Sequence, residues 1–471
     1  MLAPNRAWLL VFLPSFFRYM VLLRTSLRPR PLQLGTVSEA LPGSFGGLVS
    51  PQARLEIVAE GLDGMLAAPV WRHDPALGRG YLLFSQVDRN RVWRWEEGGG
   101  AFTIGRSLFL EQAGCHRRVL QQQQQQQRVA QPLPPPLQHS LPVSCEGVEG
   151  VGALALALAP KGAADADGAR LVVLVEGGNR RVTRLETNGT RTVLHATWKH
   201  NHHHGATANS AAFAADGSLF LTVPPPPSAN PLPIAEKSST KAKTSTDAKA
   251  PAGSSDKAVV SKSHGWVIAV SATTTDNNGP KTKNPPNADF PGAAKLDRTD
   301  LLNDLGDSEG LLGSGEHGGG VLVAVRDVVD PSGLAFSPDG KTLFVAEANP
   351  ENPHWRAYDV VSEEAGQVFG RGAVRVDPAS GRVFARPPPA PTSMGTPRGL
   401  CVDSKGNVFA AFGEGGVLVF AKKTGELMGT IDTGGVEASG TAFGDDGFLY
   451  ITARSSVLRV PVKALPGLKA E

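Results

Sequence analysis

Short apolar segments alternate with polar turns along much of the chain, and the same unit recurs. Each unit is an apolar strand, a turn carrying Asp-Gly or its equivalent, and a second strand rich in Val, Leu, Ile, Phe and Tyr. Glycine in such turns takes positive φ without a Cβ clash, so each unit is predicted to begin as a β-hairpin. Copies of the unit begin at six residues: Ala67, Ala153, Asn209, Ser332, Arg398 and Ser439.

Four of the units continue into a third apolar strand after a polar corner. These segments read RVWRW, RVTRL, VLVF and VLRV in the first, second, fifth and sixth units. A unit of three or four strands cannot bury both of its faces alone, and units of roughly 40–45 residues stack radially into a propeller. The pattern predicts an all-β fold, a six-bladed β-propeller; a β-sandwich shares the hairpin signal and is the alternative.

Two low-complexity insertions interrupt this pattern. The first, about 117–145, holds a glutamine run from Gln121 to Gln127 followed by PLPPPL, and the second, about 224–319, is rich in Pro, Lys, Ser and Thr. Neither composition supplies an apolar face that could be buried, so both are predicted to be solvated. Within the second, only GWVIAV at 265–270 has the pattern of a strand. We therefore place the propeller at 51–465, interrupted by both insertions.

The N-terminal segment has the composition of a targeting sequence. The first thirty residues contain five arginines, and no acidic residue precedes Glu39. Pro14 and Arg18 interrupt its apolar stretch, which is shorter than the ~20 residues that span a bilayer. We interpret 1–50 as a leader of the organellar type, for a chloroplast or mitochondrion, with a secretory signal or membrane anchor as the alternative.

Composition and short motifs narrow the chemistry. Apolar residues make up 41% of the chain and its formal net charge is +3, so nucleic acid is not indicated as a partner. Three cysteines cannot build a disulfide framework and show no zinc spacing, so we expect free thiols. The histidine run at 200–205 is interpreted as a loop, and the glycosylation sequon at Asn188 as a hairpin turn. No GxSxG or Walker A motif supports serine acyl transfer or nucleotide binding.

The repeats resemble those of the SMP-30/gluconolactonase family. The resemblance lies in PVWRHDPALGRGYLLFSQVDRNRVWRW, EGGNRRVTRLETNGTRTVL, SGLAFSPDGKTLFVA and DDGFLYITARSSVLRV. It implies a six-bladed propeller and calcium- or zinc-dependent hydrolysis of lactones. One divalent ion is then held at the mouth of the central channel by a Glu, two Asn and an Asp. Oxygen ligands suit such an ion, and the Asp can also serve as general base.

Only one of these four ligands is present in this chain. Ala67 stands where the family has the Glu of EGPVW, while Asn209 retains the Asn of SPNDV. Ser332 replaces the Asn of PNGLAFSPD, and Arg398 replaces the Asp of PDGM. Alanine has no oxygen to give, and a guanidinium repels a cation. Calcium or zinc is thus the cofactor only if the family site functions. The substitutions predict that the site does not function and that the chain uses no cofactor.

Three functional hypotheses follow, and whether the chain is an enzyme stays open. In the first it is a metal-dependent lactonase, which needs a shifted register that recruits Glu60 or Asp63 as a ligand. In the second it is non-catalytic and binds a small anionic ligand, through Arg398 and Ser332, or a protein partner, at the channel face. In the third, an acidic channel residue works without a metal, as in strictosidine-synthase-like propellers, and Glu347 is the candidate.

Overall fold

The structure is a computed structural model of the 471-residue chain. It describes residues 30–31, 35–97, 106–115, 152–160, 168–195, 208–225, 265–270, 321–362, 374–389, 395–464 and 466. Across these residues the regular elements are β-strands, apart from two single 3-10 turns at Val87–Arg89 and Pro378–Ser380. The all-β prediction is confirmed. None of the described segments forms a helix long and apolar enough to cross a membrane.

The strands are numbered in chain order, and each blade is one antiparallel sheet. The N-terminal strands are β1 (Arg30–Pro31), β2 (Val37–Glu39) and β3 (Glu56–Ala59). Blade 1 contains β4 (Leu66–Asp74), β5 (Arg79–Gln86), β6 (Arg91–Trp95) and β7 (Arg106–Glu111). Blade 2 contains β8 (Ala153–Leu158), β9 (Val172–Glu176), β10 (Arg181–Leu185) and β11 (Arg191–His195). Blade 3 contains β12 (Ser210–Phe213), β13 (Leu219–Val223), β14 (Gly265–Val270) and β15 (Val321–Val328).

The remaining three blades follow the same plan with added edge strands. Blade 4 contains β16 (Pro331–Phe336), β17 (Thr342–Glu347), β18 (His354–Ser362), β19 (Val374–Val376) and β20 (Arg382–Ala385). Blade 5 contains β21 (Leu400–Val402), β22 (Val408–Ala411), β23 (Val417–Phe420) and β24 (Leu427–Ile431), with β2 added. Blade 6 contains β25 (Ala438–Phe443), β26 (Phe448–Ala453) and β27 (Ser456–Pro461), with β3 and β1 added.

The six repeats of the sequence are the six blades. The predicted third strands are β6, β10, β23 and β27, and the isolated strand GWVIAV is β14. The first strands contact one another in a closed ring, in the order β4, β8, β12, β16, β21, β25 and back to β4. This ring surrounds the central channel of a six-bladed propeller, as predicted.

The core is divided among the gaps between blades. Each of the six gaps holds its own cluster of buried apolar side chains. Between blades 4 and 5, for example, the ring of Trp355 lies 5.7 Å from that of Phe412 and 4.8 Å from that of Phe420. Because every blade is covered on both faces, its strands carry apolar residues on both, which explains near-continuous runs such as LFVAE and FAAF.

The N-terminal segment closes the ring. Strand β3 pairs with β27 as the fourth strand of blade 6, and β2 pairs with β24 at the edge of blade 5. Between them Phe45 is fully buried, and Gly429 leaves room for its ring, since a Cβ at Gly429 would lie 2.2 Å from Phe45 Cδ1. The propeller therefore includes residues on the N-terminal side of 51. The targeting function predicted for 1–50 stays a prediction, and residues 1–29 lie outside the described part.

Other sequence predictions fall mostly on segments outside the described residues. These are most of the two insertions and the histidine run at 200–205. The expectation of free thiols holds for Cys401 and is wrong for Cys115, which is disulfide-bonded. Cys115 lies just after β7, where the side chain of Asn90 accepts from its backbone N–H at 3.2 Å and donates to its carbonyl at 3.0 Å.

Candidate site at the channel mouth

The candidate residues lie at one end of the channel, because the strands of each blade follow the same order. Strands alternate in direction, so the starts of all first strands and the ends of all second strands lie at the same end. We call this end the channel mouth. Ala67 lies in β4, Asn209 immediately before β12, Ser332 in β16, and Arg398 two residues before β21. The structure thus places all four at equivalent points of the mouth, one each in blades 1, 3, 4 and 5.

Glycines let the first strands of blades 4, 5, 6 and 1 approach closely at this end. A Cβ added to Gly333 would lie 2.5 Å from the carbonyl oxygen of Arg398. A Cβ on Gly399 would lie 3.1 Å from the Cα of Gly440, and one on Gly440 would lie 2.7 Å from Pro69. Such contacts leave little freedom for the neighbouring positions to shift.

Ala67 leaves a polar atom of blade 1 without a partner. Ala67 pairs in register with Ser85 on β5. The Ser85 hydroxyl is buried and has no hydrogen-bond partner among the described residues. In blade 6 the equivalent hydroxyl, that of Thr452, lies 2.8 Å from the hydroxyl of Ser439. A side-chain oxygen at position 67 would satisfy Ser85 in the same way, and the methyl group does not.

The side chains of Asn209 and Ser332 each make a hydrogen bond within the protein. The Asn209 amide oxygen accepts a hydrogen bond from the Thr222 hydroxyl at 2.5 Å. The Ser332 hydroxyl donates to the carbonyl of Pro397 at 2.7 Å, which joins blade 4 to blade 5. These bonds fix the orientation of both side chains.

Acidic groups lie near the Arg398 guanidinium. Its guanidinium lies 3.4 Å from the Glu437 carboxylate, and both side chains are about two-fifths exposed, at 42% and 43%. The carboxyl of Asp330 is also close: burial and the nearby Glu347 raise its pKa, and the charge of Arg398 partly offsets this. Two carboxylates, those of Glu437 and Asp330, thus lie near the guanidinium.

Glu347 holds the local backbone in place. It is 2% exposed, and its two carboxylate oxygens accept the backbone N–H groups of Val329 at 2.7 Å and Asp330 at 2.5 Å. The carboxylate therefore fixes the connection from β15 to β16. Asp330, which the sequence reasoning missed, is the less buried acid beside it. The only signal for Asp330 is its place immediately before Pro331 and the first strand of blade 4.

The buried carboxylate at the equivalent end of blade 2 also accepts hydrogen bonds from neighbouring groups. Glu176 ends β9, is completely buried, and accepts from Asn179 Nδ2 at 2.6 Å, Arg181 Nε at 2.7 Å, Thr183 Oγ1 at 2.7 Å and Arg191 Nη1 at 2.7 Å. Burial alone would raise its pKa, but the charges and hydrogen bonds of these partners lower it. Glu176 is thus a structural anion.

The residues present do not fit the family's divalent ion. Of the four family positions, Ala67 has no side-chain oxygen and Arg398 carries a cation, which leaves Asn209 and Ser332 as oxygen donors. Among the described residues no group of three or more His, Cys, Asp or Glu side chains is arranged as an alternative metal site. A shifted register does not supply the missing ligand through Asp63, because that side chain is 81% exposed and pairs with Arg89 at 3.2 Å. The mouth therefore offers hydroxyl, amide, carboxylate and guanidinium groups, and two of the four family ligand positions, Ala67 and Arg398, supply no oxygen for calcium.

Comparison with known proteins agrees with the resemblance seen in the sequence. The family described as SMP-30/Gluconolactonase/LRE-like region matches residues 296–455, which include Ser332 and Arg398. The chain carries an SMP-30/gluconolactonase/LRE-like region. A gluconolactonase from Zymomonas mobilis is 33% identical over 135 residues, which are 28% of this chain and 35% of that protein. Pentonolactonase XacC from Haloferax volcanii is 29% identical over 148 residues, 31% of this chain and 42% of that protein.

These sequence matches span only about a third to two-fifths of the relatives' length. Solved structures extend the likeness over the whole gluconolactonase-like propeller. A gluconolactonase from Xanthomonas campestris aligns with a TM-score of 0.50 and 19% identity, over 92% of this chain and 97% of that one. A second solved structure, of a putative gluconolactonase, aligns with a TM-score of 0.50 and 18% identity, over 92% and 100%. At such identities the structures support the fold alone.

Proposed function

We propose that this gluconolactonase-like propeller binds a neutral sugar lactone at its channel mouth, and that it does so without the divalent ion its family uses. The supporting observation is the state of the four ligand positions. Ala67 has no side-chain oxygen, the side chains of Asn209 and Ser332 each make one hydrogen bond within the protein, and the Arg398 guanidinium lies beside Glu437. Metal-dependent hydrolysis in the family's manner is therefore not expected.

A neutral ligand suits the charges at the mouth better than an anion does. An anion bound at Arg398 would be repelled by the carboxylates of Glu437 and Asp330. The hydroxyl groups of a sugar lactone can instead donate to Glu437 and Asp330, while its carbonyl accepts from Arg398. The names of the relatives, a gluconolactonase and a pentonolactonase, point to ligands of the same class.

Metal binding is the first test of this proposal. Titration calorimetry with Ca²⁺ and Zn²⁺ should show no stoichiometric binding to the native chain, and glucono-1,5-lactone should open no faster than it does spontaneously. The matched variant carries Ala67→Glu, Ser332→Asn and Arg398→Asp, which restores the family's four oxygen ligands and gives Ser85 an acceptor. It should gain Ca²⁺ binding. Tight binding with turnover by the native chain would refute the metal-free proposal.

Ligand charge is the second test. By saturation-transfer NMR, freshly dissolved glucono-1,5-lactone should bind at least tenfold more tightly than gluconate. Arg398→Ala should weaken lactone binding, whereas Arg79→Ala should not, because Arg79 is exposed at the start of β5, at the opposite end of the channel. Preferential binding of gluconate that is lost in Arg398→Ala would favour the anion-binding alternative. If neither compound binds, the lactone proposal is wrong and the channel face binds another partner.

A further inference from the structure

The hairpin between β10 and β11 presents a complete glycosylation sequon at the protein surface. Residues 187–190 are all exposed, and Asn188, Gly189 and Thr190 form the sequence Asn-Gly-Thr. The turn closes through the Glu186 backbone N–H, which donates to the Thr190 carbonyl at 2.9 Å. Gly189 has φ of +78°, and a Cβ built there would meet nothing within 4 Å. The hairpin turn is confirmed, and the space beyond it is open.

Within the turn, the two side chains of the sequon contact each other. The Asn188 amide oxygen accepts from the Thr190 hydroxyl at 2.7 Å and from the Thr190 backbone N–H at 2.9 Å. Asn188 is exposed, and its amide nitrogen makes no side-chain hydrogen bond to the described residues. This is the nitrogen to which an N-linked glycan would be attached.

An independent observation concerns the compartment in which the chain folds. Cys115 is disulfide-bonded, and of the two other cysteines in the sequence Cys401 is free. Disulfides form and persist in oxidising compartments such as the endoplasmic reticulum lumen, and they are rare where thiols are kept reduced. N-linked glycans are added to Asn-X-Ser/Thr in the same lumen. The disulfide and the exposed sequon therefore point to one environment.

The position of the hairpin is compatible with a bulky modification. It connects the third and fourth strands of blade 2, and such connections lie at the end of the channel opposite the mouth. A glycan on Asn188 would extend into solvent there. It would leave the residues at the mouth accessible, so modification and ligand binding do not compete.

We propose that Asn188 carries an N-linked glycan and that the leader accordingly acts as a secretory signal. In the transfer step, the amide nitrogen of Asn188 forms a bond to C1 of a sugar supplied by a lipid-linked pyrophosphoryl oligosaccharide. The bond from that carbon to phosphate breaks, the lipid pyrophosphate leaves, and the amide nitrogen loses one proton. The proposal is independent of what binds at the channel mouth.

The test is expression of the full chain, with its own N-terminus, in eukaryotic cells. Peptide-N-glycosidase F should increase its mobility on a gel. Because Asn-Gly also deamidates spontaneously and takes up the same oxygen from solvent, the digestion in heavy-oxygen water is compared with an identical incubation without the enzyme. The tryptic peptide 185–191 should carry an isotope-labelled Asp at 188 only when the enzyme is present. Asn188→Asp, which keeps an acceptor oxygen for Thr190, and Thr190→Ala should both abolish the shift. Thr190→Ser, which preserves the sequon, should retain it.

A native chain that shows no mobility shift, and whose peptide 185–191 is unlabelled, would overturn the proposal. So would recovery of the chain in a mitochondrial or chloroplast fraction with Asn188 unmodified. A circular dichroism spectrum for Asn188→Asp that matches the native spectrum would show that any lost shift reflects the missing glycan rather than misfolding.

Discussion

Removing the Phe45 ring should destabilise the whole propeller, although Phe45 lies within the segment that composition assigns to a leader. Phe45 is fully buried and packs on Gly429 of blade 5. Truncating a buried phenylalanine to alanine typically costs about 3–5 kcal/mol, because apolar contact is lost and a cavity remains. With a denaturant dependence of about 3 kcal/mol per molar urea, Phe45→Ala should lower the unfolding midpoint by roughly 1–1.7 M.

Urea unfolding followed by tryptophan fluorescence measures this shift, and the same segment provides a control. Leu41 is 38% exposed, so Leu41→Ala should change the free energy of unfolding by less than about 0.5 kcal/mol. A chain that starts at residue 30 keeps β1, β2 and β3, whereas one that starts at residue 51 loses β2 and Phe45. If both truncated chains unfold at the same midpoint, the assignment of this segment to the propeller is wrong.

Three further predictions concern the interior. Glu176→Ala should cost about 3–5 kcal/mol, because it leaves the buried guanidinium of Arg191 unpaired. Because folding lowers the pKa of Glu176, its contribution to the free energy of unfolding should be present above the unfolded-state pKa of about 4.3 and be lost as the pH falls below that value. Thermal melts across pH should show this loss of stability in the native chain and not in Glu176→Gln. Gly333→Ala should cost about 1–3 kcal/mol by the same melts, since its Cβ would overlap the Arg398 carbonyl, and an unchanged melting temperature would contradict this packing. Burial raises the pKa of the Cys401 thiol to about 12, so iodoacetamide followed by mass spectrometry should find no label on Cys401 of the native chain. Label on native Cys401 would show that the thiol is accessible.

The fold could be predicted because its signal is local. Each blade starts as a hairpin, and a hairpin is specified by alternating strands and by turn residues a few positions apart, so six copies of the pattern gave six blades. The same locality explains why the family positions Ala67, Asn209, Ser332 and Arg398 could be located. Each lies at the start of a first strand, and the repeat itself aligns those starts.

The surroundings of the candidate site could not be predicted, because they depend on contacts between blades. Asp330 comes near Arg398 only when blades 4 and 5 lie side by side. The loss of a partner for Ser85 becomes visible only when β5 is paired with Ala67 on β4. The acidic surroundings of Arg398 likewise involve Glu437, which is 39 residues away in sequence.

The sequence by itself thus determined the all-β class and the number of blades, and it predicted substitutions at three family ligand positions, because each rests on residues close together along the chain. Only the tertiary structure decided that residues 36–59 belong to the propeller, since β2 and β3 pair with strands some 400 positions later. It also decided that Glu347 and Glu176 are structural, because their hydrogen-bond partners, and not their residue type, determine what a buried carboxylate does.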